Sequence, residues 1–263
     1  MPPDLVSRRA RKSVPRPARR SLRIGSEVRV LVTRPEPGAC RTAAKLRTFG
    51  FDPVILPLSR TRPLAVPEEA VPADAVAVAV TSANAIRHAP AMLIRRLANM
   101  PCHAVGSRTA DAARTAGFLH VAEGPGDAEG LADRIGGDLA GSVLIYLCGR
   151  ERFPGFEERL GAAGVQVRPV ETYETIAVDY SDDAVLARTA GRPVDALLLY
   201  SAKAAEAARN LAARPALQAL FAGVEIYALS ERIAKAWGRE ESRLHVAESP
   251  VEEALLDRLR GSD

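Results

Sequence analysis

Short apolar runs alternate with segments of helical periodicity from Val28 almost to the end of the chain. The first run, VRVLV at 28–32, is nearly continuous, as a strand buried on both faces of a parallel sheet requires. The polar corner TRPEPG follows it, and a helical pattern then runs from about Ala39 to Phe49 and stops at Gly50. Strands that alternate with helices in this way predict parallel sheets covered by helices, so the predicted fold class is α/β.

The same strand-to-helix unit recurs along the rest of the chain. Extended runs are predicted at 53–58, 75–80, 102–106, 120–124, 142–150, 165–175, 195–201, 224–229 and 245–249. Helical patterns follow most of these runs, among them SRTADAARTAG after the run at 102–106 and AKAAEAARNLA after the run at 195–201.

The series contains an internal repeat. Gly50 and Gly164 lie 114 residues apart, Ser82 and Ser201 lie 119 apart, and the segments HVAEG and HVAES lie 125 apart. The order is kept while the offset drifts slowly, as expected for a duplication with small insertions. We therefore predict two similar, flavodoxin-like parallel-sheet domains.

Two polar, extended segments occupy matching points of the two copies: SRTRPL at 59–64 and VETYET at 170–175. We interpret them as a two-stranded linker between the domains. The predicted boundaries are a discontinuous domain of 27–56 plus 177–263, a continuous domain of 60–170, and linker strands at 57–59 and 171–176.

The composition is that of an ordinary globular protein, with 47% hydrophobic and 26% charged residues. No apolar run approaches the ~20 residues of a membrane span. Cys40, Cys102 and Cys148 form no CxxC pair, and the four histidines lack metal-ligand spacing, so no disulfide framework or metal site is predicted. A reducing, cytoplasmic location fits this pattern.

The positive charge is concentrated in a tail. Residues 1–26 hold seven arginines and Lys12 against Asp4, a net charge of +7, whereas the whole chain has +4, so the remainder carries −3. We predict that the tail is disordered and is not a secretory signal. Two interpretations stay open: an arm for nucleic acid or an anionic surface, and an N-terminal extension without a binding role.

Polar corners follow the predicted strands, at the edge where the next helix begins. Free N–H groups and the helix dipole make such corners anion sites, and ligands of open α/β sheets bind at this edge. The alternative is that the serines and threonines are only helix caps. Seven corners converging on one cleft favour a site for a large polyanion. Several of them add a cation: Arg34, Arg108, Arg150, Lys203 and Arg232.

Familiar catalytic motifs are absent from the sequence. There is no GxxxxGK[ST], no GxGxxG after a strand and no GxSxG. We therefore predict a site that offers hydrogen bonds and positive potential, with no nucleophile and no metal.

The ordered motifs of the chain resemble those of uroporphyrinogen-III synthases over about residues 28–260. The resemblance rests on VLVTRPEPGACRTAAKLRTFGFDPVILPL, AVAVTSANAIRH, HAVGSRTADAARTAGF, GPGDAEGLADRI, LCGRERFPGFEERLGAAGVQVRPVETYET and DALLLYSAKAAEAA. It implies two α/β domains on a two-stranded linker. It also implies the reaction: hydroxymethylbilane loses water and closes to uroporphyrinogen III with inversion of ring D, without metal or organic cofactor.

The resemblance also implies site residues. Tyr173 matches the tyrosine of the second linker segment and is the candidate catalytic hydrogen-bond donor. The residues that match cleft positions, and are assigned to substrate binding, are Thr33, Arg34, Ser82, Asn84, Thr109 and Ser201. Arg150 and Lys203 are added from charge alone. The chain departs from the family pattern at its second glycine corner, where SERIA replaces a GSRTA-like sequence, with Ser230 for Gly and Ile233 for Thr.

Competing hypotheses are a non-catalytic tetrapyrrole-binding or regulatory module of the same fold, a two-domain solute-binding protein, and a nucleic-acid-binding role for the tail. The main hypothesis predicts a monomeric cytoplasmic enzyme with no membrane or nucleic-acid partner. Its partners are then its substrate, its product and, transiently, the upstream hydroxymethylbilane synthase.

Overall fold

The computed structural model of the protein describes residues 28–152, 154–238 and 243–261. The predicted disordered tail, 1–26, lies outside the described residues. The strands are β1 (Arg29–Val32), β2 (Asp52–Ile55), β3 (Ser59–Pro63), β4 (Ala75–Val80), β5 (Pro101–Ala104), β6 (His120–Glu123), β7 (Val143–Gly149), β8 (Gln166–Ala177), β9 (Ala196–Leu199), β10 (Glu225–Ala228) and β11 (Leu244–Val246).

Helices follow most of the strands. They are α1 (Gly38–Thr48), α2 (Ala83–His88), α3 (Ala91–Leu97), α4 (Ser107–Ala116), α5 (Ala128–Gly136), α6 (Gly155–Ala162), α7 (Asp182–Thr189), α8 (Ala202–Ala212), α9 (Gln218–Phe221), α10 (Glu231–Trp237) and α11 (Glu252–Arg260). Across the described ranges, none of these helices is long and apolar enough to cross a membrane.

The strands form two sheets. The first sheet has the order β11-β10-β9-β1-β2 and is parallel throughout. The second sheet has the order β3-β8-β7-β4-β5-β6 and is parallel except where β3 pairs with β8. This confirms the predicted α/β class.

The two sheets share one strand order once the duplication is taken into account. Read as β2-β1-β9-β10-β11, the first sheet has the flavodoxin-like order 2-1-3-4-5. The second sheet, without its edge strand β3, has the same order when β7 and β8 are counted before β4. Each sheet therefore joins a two-strand unit from one repeat to a three-strand unit from the other repeat.

Both faces of each sheet are buried. Val30 and Val32 of β1 pack on one face with α11, whereas Leu31 packs on the other face with Leu197 and the helix α8. The second sheet is covered in the same way, by one apolar cluster on each face. Burial on both sides explains why the strands read as continuous apolar runs.

The chain passes between the sheets through β3 and β8. These strands pair antiparallel, from Ser59 opposite Ala177 to Pro63 opposite Tyr173. The ladder covers residues 59–63 and 173–177, so it overlaps the linker strands predicted at 57–59 and 171–176 only in part, and those bounds stay a prediction. The exact domain boundaries, 27–56 plus 177–263 and 60–170, stay a prediction.

Candidate active site

A bulge in β8 sets the position of Tyr173. Cys148 of β7 lies opposite Glu171, but the next residue, Gly149, lies opposite Tyr173, so Thr172 is an extra residue. Thr172 is fully buried, and its hydroxyl donates to the carbonyl of Ala85 at 2.8 Å. A bulge re-aims the side chains that follow it. Here the bulge presents Tyr173 at the carboxyl edge of the second sheet.

Gly149 provides the space that the Tyr173 ring needs. A β-carbon at position 149 would lie 2.7 Å from Cζ and 3.0 Å from the hydroxyl oxygen of Tyr173. The backbone N–H of Arg150 also donates to the Tyr173 carbonyl at 2.8 Å. The corner at the end of β7 (CGR, 148–150) therefore holds the tyrosine by close packing and by one backbone hydrogen bond.

The Tyr173 hydroxyl contacts the corner after β4. It donates to Oγ of Ser82 at 3.4 Å, and the same Oγ accepts from the N–H of Asn84, which caps α2. The preceding residue, Thr81, shares a 2.7 Å hydrogen bond with the hydroxyl of Tyr146. The TSAN corner (81–84) is thus fixed by two side-chain hydrogen bonds, one between Thr81 and Tyr146 and one between Ser82 and Tyr173.

His88 lies near the Tyr173 ring. Its Nε2 is 2.7 Å from Oγ1 of Thr61, and the two ring centroids are 5.7 Å apart. Burial and the neighbouring Arg87 lower the pKa of His88, so the imidazole is neutral at neutral pH. Sequence reasoning missed this residue because only the fold brings the end of α2 to the linker strands.

A pocket of about 540 Å³ opens beside Ser82, at the carboxyl ends of β4, β5 and β6. Three of the predicted substrate-binding residues line it: Ser82, Asn84 and Thr109. Helix α1, which packs on the first sheet, contributes Arg41 to the facing wall. The polar side chains around the pocket are Arg41, Thr81, Ser82, Asn84, Arg87, Arg108, Thr109 and Asp127.

Two predicted residues belong to the carboxyl end of β1. Thr33 is fully buried, and its hydroxyl donates to the carbonyl of Leu198 at 2.8 Å. Arg34 donates to Glu252 at 2.7 Å, and its guanidinium lies 4.4 Å from the centre of the Tyr200 ring. Both side chains are engaged in contacts within the first sheet and its helices.

The other three predicted residues also have partners in the protein. Ser201 caps α8, accepting from the N–H of Ala204 at 3.1 Å. Arg150 pairs with Glu171 and Glu174 at 3.2 and 2.7 Å, and Lys203 pairs with Glu151. Neither these three residues nor Thr33 and Arg34 line the pocket, so their substrate-binding role stays a prediction.

The pocket adds arginines that the sequence did not single out. Arg41 and Arg87 were not candidates, and Arg108 was noted only as a corner cation. Exposed arginines on helices look like an ordinary solvated face, so no pattern in the sequence marks them. Partial burial and the nearby guanidinium groups of Arg34, Arg108 and Arg87 lower the pKa of Arg41.

The departure at SERIA has a structural counterpart. Ile233 is buried in the apolar core of the first sheet, and Ser230 makes no side-chain cap on α10. Thr109, which corresponds to Ile233 in the other repeat, lines the pocket. In the ranges 28–152, 154–238 and 243–261, no group of three or more His, Cys, Asp and Glu side chains is placed to hold a metal.

Comparison with known proteins identifies a family. The family model HEM4, described as uroporphyrinogen-III synthase HemD, matches residues 41–257. A mutant uroporphyrinogen III synthase from the extremely thermophilic bacterium Thermus thermophilus is 22% identical, with a TM-score of 0.51, over 89% of this chain and 96% of that chain. A uroporphyrinogen-III synthetase from Helicobacter pylori is 18% identical, with a TM-score of 0.56, over 88% and 96%. No curated protein matches the chain significantly.

Proposed function

The chain belongs to the uroporphyrinogen-III synthase family, the cyclising enzymes of tetrapyrrole synthesis, and we propose that its reaction takes place beside Tyr173. The family implies hydroxymethylbilane as substrate and uroporphyrinogen III as product. The finer proposal is that the enzyme is a cyclising hydro-lyase. One observation carries it: the Tyr173 hydroxyl lies 3.4 Å from Ser82, next to a pocket with arginines on both walls.

The proposed chemistry needs a hydrogen-bond donor and a shaped, cationic cleft. The C–O bond of the hydroxymethyl group breaks, and hydroxide leaves with the help of a hydrogen bond from Tyr173. The hydroxide becomes water with the proton that ring D releases when the macrocycle closes. The pyrrole ring supplies the electron pair, which leaves a delocalised azafulvene cation. The already substituted carbon of ring D attacks this cation and forms a spiro intermediate. The bond from that carbon to its original methylene bridge then breaks, which leaves a second azafulvene cation on the neighbouring ring. The free α-carbon of ring D attacks this second cation and loses its proton, so that ring D is inverted and the macrocycle closes. Substrate and product differ by one molecule of water.

Positioning and electrostatics account for this catalysis better than covalent chemistry does. Well-oriented reacting groups and preorganised donors are each worth several kcal/mol of a barrier. The bulge at Thr172, the close packing against Gly149 and the neighbouring ring of His88 all restrict the Tyr173 side chain. We assign Ser82, Asn84 and Thr109 to substrate binding because they line the same pocket.

The resemblance supports the same role for Thr33, Arg34 and Ser201, and charge supports it for Arg150 and Lys203. We retain all five as proposals. A substrate with eight carboxylates has enough anionic groups to contact these side chains as well as those of the pocket.

The test is an assay with freshly made hydroxymethylbilane, followed by oxidation and chromatographic separation of the uroporphyrin isomers. We expect mostly the type III isomer. Only the type I isomer, which forms without a catalyst, would overturn the proposal and leave the non-catalytic tetrapyrrole-binding module as the interpretation.

We further propose that the protein works as a cytoplasmic monomer that meets the upstream hydroxymethylbilane synthase transiently. Burial raises the pKa of the Cys102 and Cys148 thiols to about 12, and all three cysteines are free, which suits a reducing compartment. Sedimentation analysis tests the oligomeric state, and a stable dimer would contradict this part of the proposal.

A further inference from the structure

Three arginines reach one pocket from opposite sides. Arg41 comes from α1, which packs on the first sheet, whereas Arg87 and Arg108 come from α2 and α4, beside the second sheet. The pocket of about 540 Å³ that they share is within the size range of small-molecule sites. It is therefore a place where both halves of the molecule can hold one ligand.

These guanidinium groups lack the carboxylate partners that Arg34 and Arg150 have. Arg34 is paired with Glu252, and Arg150 with two glutamates. Within the part of the chain that the structure describes, no carboxylate forms an ion pair with Arg41, Arg87 or Arg108.

One acidic side chain lines the pocket, and its carboxylate is engaged elsewhere. Asp127 lines the pocket, but its Oδ1 accepts the backbone N–H of Gly130 at 2.7 Å and caps α5. Guanidinium groups bind carboxylates through pairs of parallel hydrogen bonds. Like charges that converge without a partner repel each other, and a bound anion removes that repulsion.

We propose that Arg41, Arg87 and Arg108 form a receptor for one carboxylate of the substrate, contributed jointly by the two halves of the molecule. That this carboxylate belongs to hydroxymethylbilane rests on the proposed function. Because Arg41 approaches from the opposite half, binding of this carboxylate draws the two sheets toward each other. The receptor positions the substrate and takes no part in breaking the C–O bond.

The experiment compares Arg41→Ala, Arg108→Ala and the double variant with Arg47→Ala. Arg47 is an exposed arginine of the same helix, six residues further on and outside the pocket, so it controls for the lost charge. We expect KM for hydroxymethylbilane to rise about tenfold in each single receptor variant, with kcat and the type III fraction unchanged. Because one carboxylate is shared, the double variant should raise KM by less than the product of the two single effects.

A second measurement does not depend on activity. Citrate, used as a carboxylate probe at fixed ionic strength, should raise the thermal midpoint of the wild type and of Arg47→Ala, and raise that of Arg41→Ala and Arg108→Ala less. Equal citrate responses in all four proteins, or a KM change in Arg47→Ala as large as in Arg41→Ala, would overturn the receptor. Independent, multiplicative KM effects would also overturn it.

The two proposals fail in different ways. A wild-type protein that yields only the type I isomer refutes the proposed function, and the citrate comparison still decides whether the receptor exists. A wild-type protein that yields the type III isomer with no KM change in Arg41→Ala refutes the receptor alone.

Discussion

The corners after β6 and β11 occupy the same place in the two repeats but use their acidic residue differently. In the segments HVAEGPGD and HVAESPVE, Asp127 and Glu252 are equivalent. Asp127 turns back and caps its own helix α5 through the N–H of Gly130. Glu252, longer by one methylene, reaches across to α1 and to the corner after β1, where it accepts from Lys45 at 2.8 Å and from Arg34 at 2.7 Å.

This difference gives the two sheets carboxyl edges of opposite character. At the first sheet, Glu252 also accepts from the hydroxyls of Thr42 and Tyr200, so its carboxylate neutralises the local cations. At the second sheet, Arg87 and Arg108 keep their charge. At the first sheet, a carboxylate of the protein thus pairs with the local cations. At the second sheet, the arginines stay available to bind an external anion.

The strongest test of the comparison removes a tyrosine hydroxyl from each edge. We expect Tyr173→Phe to lower kcat by about 100-fold, because a hydrogen-bond donor at the reacting group typically contributes at least this factor. Tyr200→Phe, which loses a hydroxyl bonded to Glu252 at 3.3 Å, should change kcat by less than about threefold. The comparison fails if the two variants lose activity equally in a steady-state assay.

A second test fills the space behind Tyr173. Gly149→Ala places a β-carbon 2.7 Å from the ring, so the ring or the corner must shift, and we expect about 2 kcal/mol lower stability together with a lower kcat. Gly137→Ala is the control, because its β-carbon meets no atom within 4 Å and its backbone is helical. Urea unfolding and the isomer assay measure both effects. Unchanged kcat in Gly149→Ala would show that the ring position does not limit the reaction.

The third test removes the negative charge of Glu252, which neutralises the cations at the carboxyl edge of the first sheet. Burial opposes ionisation of Glu252, but hydrogen bonds from Lys45 and Thr42 and the charge of Arg34 outweigh it, so the pKa of Glu252 lies below its usual 4.5. A lowered carboxyl pKa stabilises the folded state above the unfolded pKa, and this contribution is lost as the pH falls through the folded pKa. We therefore expect Glu252→Gln to reduce stability by about 2 kcal/mol at pH 7, with the gap to wild type closing below pH 4.5.

Glu253→Gln is the matched control for that pH series, because Glu253 is the next residue, is 70% exposed and also forms an ion pair with Lys45. Its effect should be a few tenths of a kcal/mol. A gap between Glu252→Gln and wild type that stays constant from pH 7 to pH 3 would contradict the ion-pair explanation.

The smallest expected effect is at the equivalent corner of the other repeat. Asp127→Ala should cost about 1 kcal/mol, the usual contribution of a helix cap. Asp138→Ala, which removes the same charge from an exposed position after α5, should cost much less. Chemical denaturation compares them, and equal losses would mean that charge matters at Asp127 and capping does not.

The strands and the duplication could be predicted from the sequence because burial on both faces leaves continuous apolar runs. AVAVAV at 75–80 coincides with β4, and the run at 142–150 contains β7. The helices α3 and α7 did not stand out, since neither begins directly at the end of an apolar run. The exchange of strand units between the sheets also depends on long-range pairing, which no local pattern encodes.

The candidate site was only partly predictable. Ser82, Asn84 and Thr109 follow strands, so their place at a carboxyl edge follows from the α/β pattern. Arg41 faces the pocket only because α1 belongs to the opposite sheet. The partners of Arg34 and Lys203 are likewise set by tertiary contacts across 218 and 52 residues of sequence.

The exchanged strand order has a consequence for synthesis on the ribosome. The second sheet has all its strands once β8 has emerged, but β1 must wait for β9, whose residues lie about 166 positions later in the chain. At ordinary elongation rates the chain from Ile55 to Leu199 takes roughly 7–29 s to make. During that interval the nascent β1–α1–β2 unit has one open strand edge and half a core, so it is the segment most exposed to chaperones and to mispairing with a neighbouring chain.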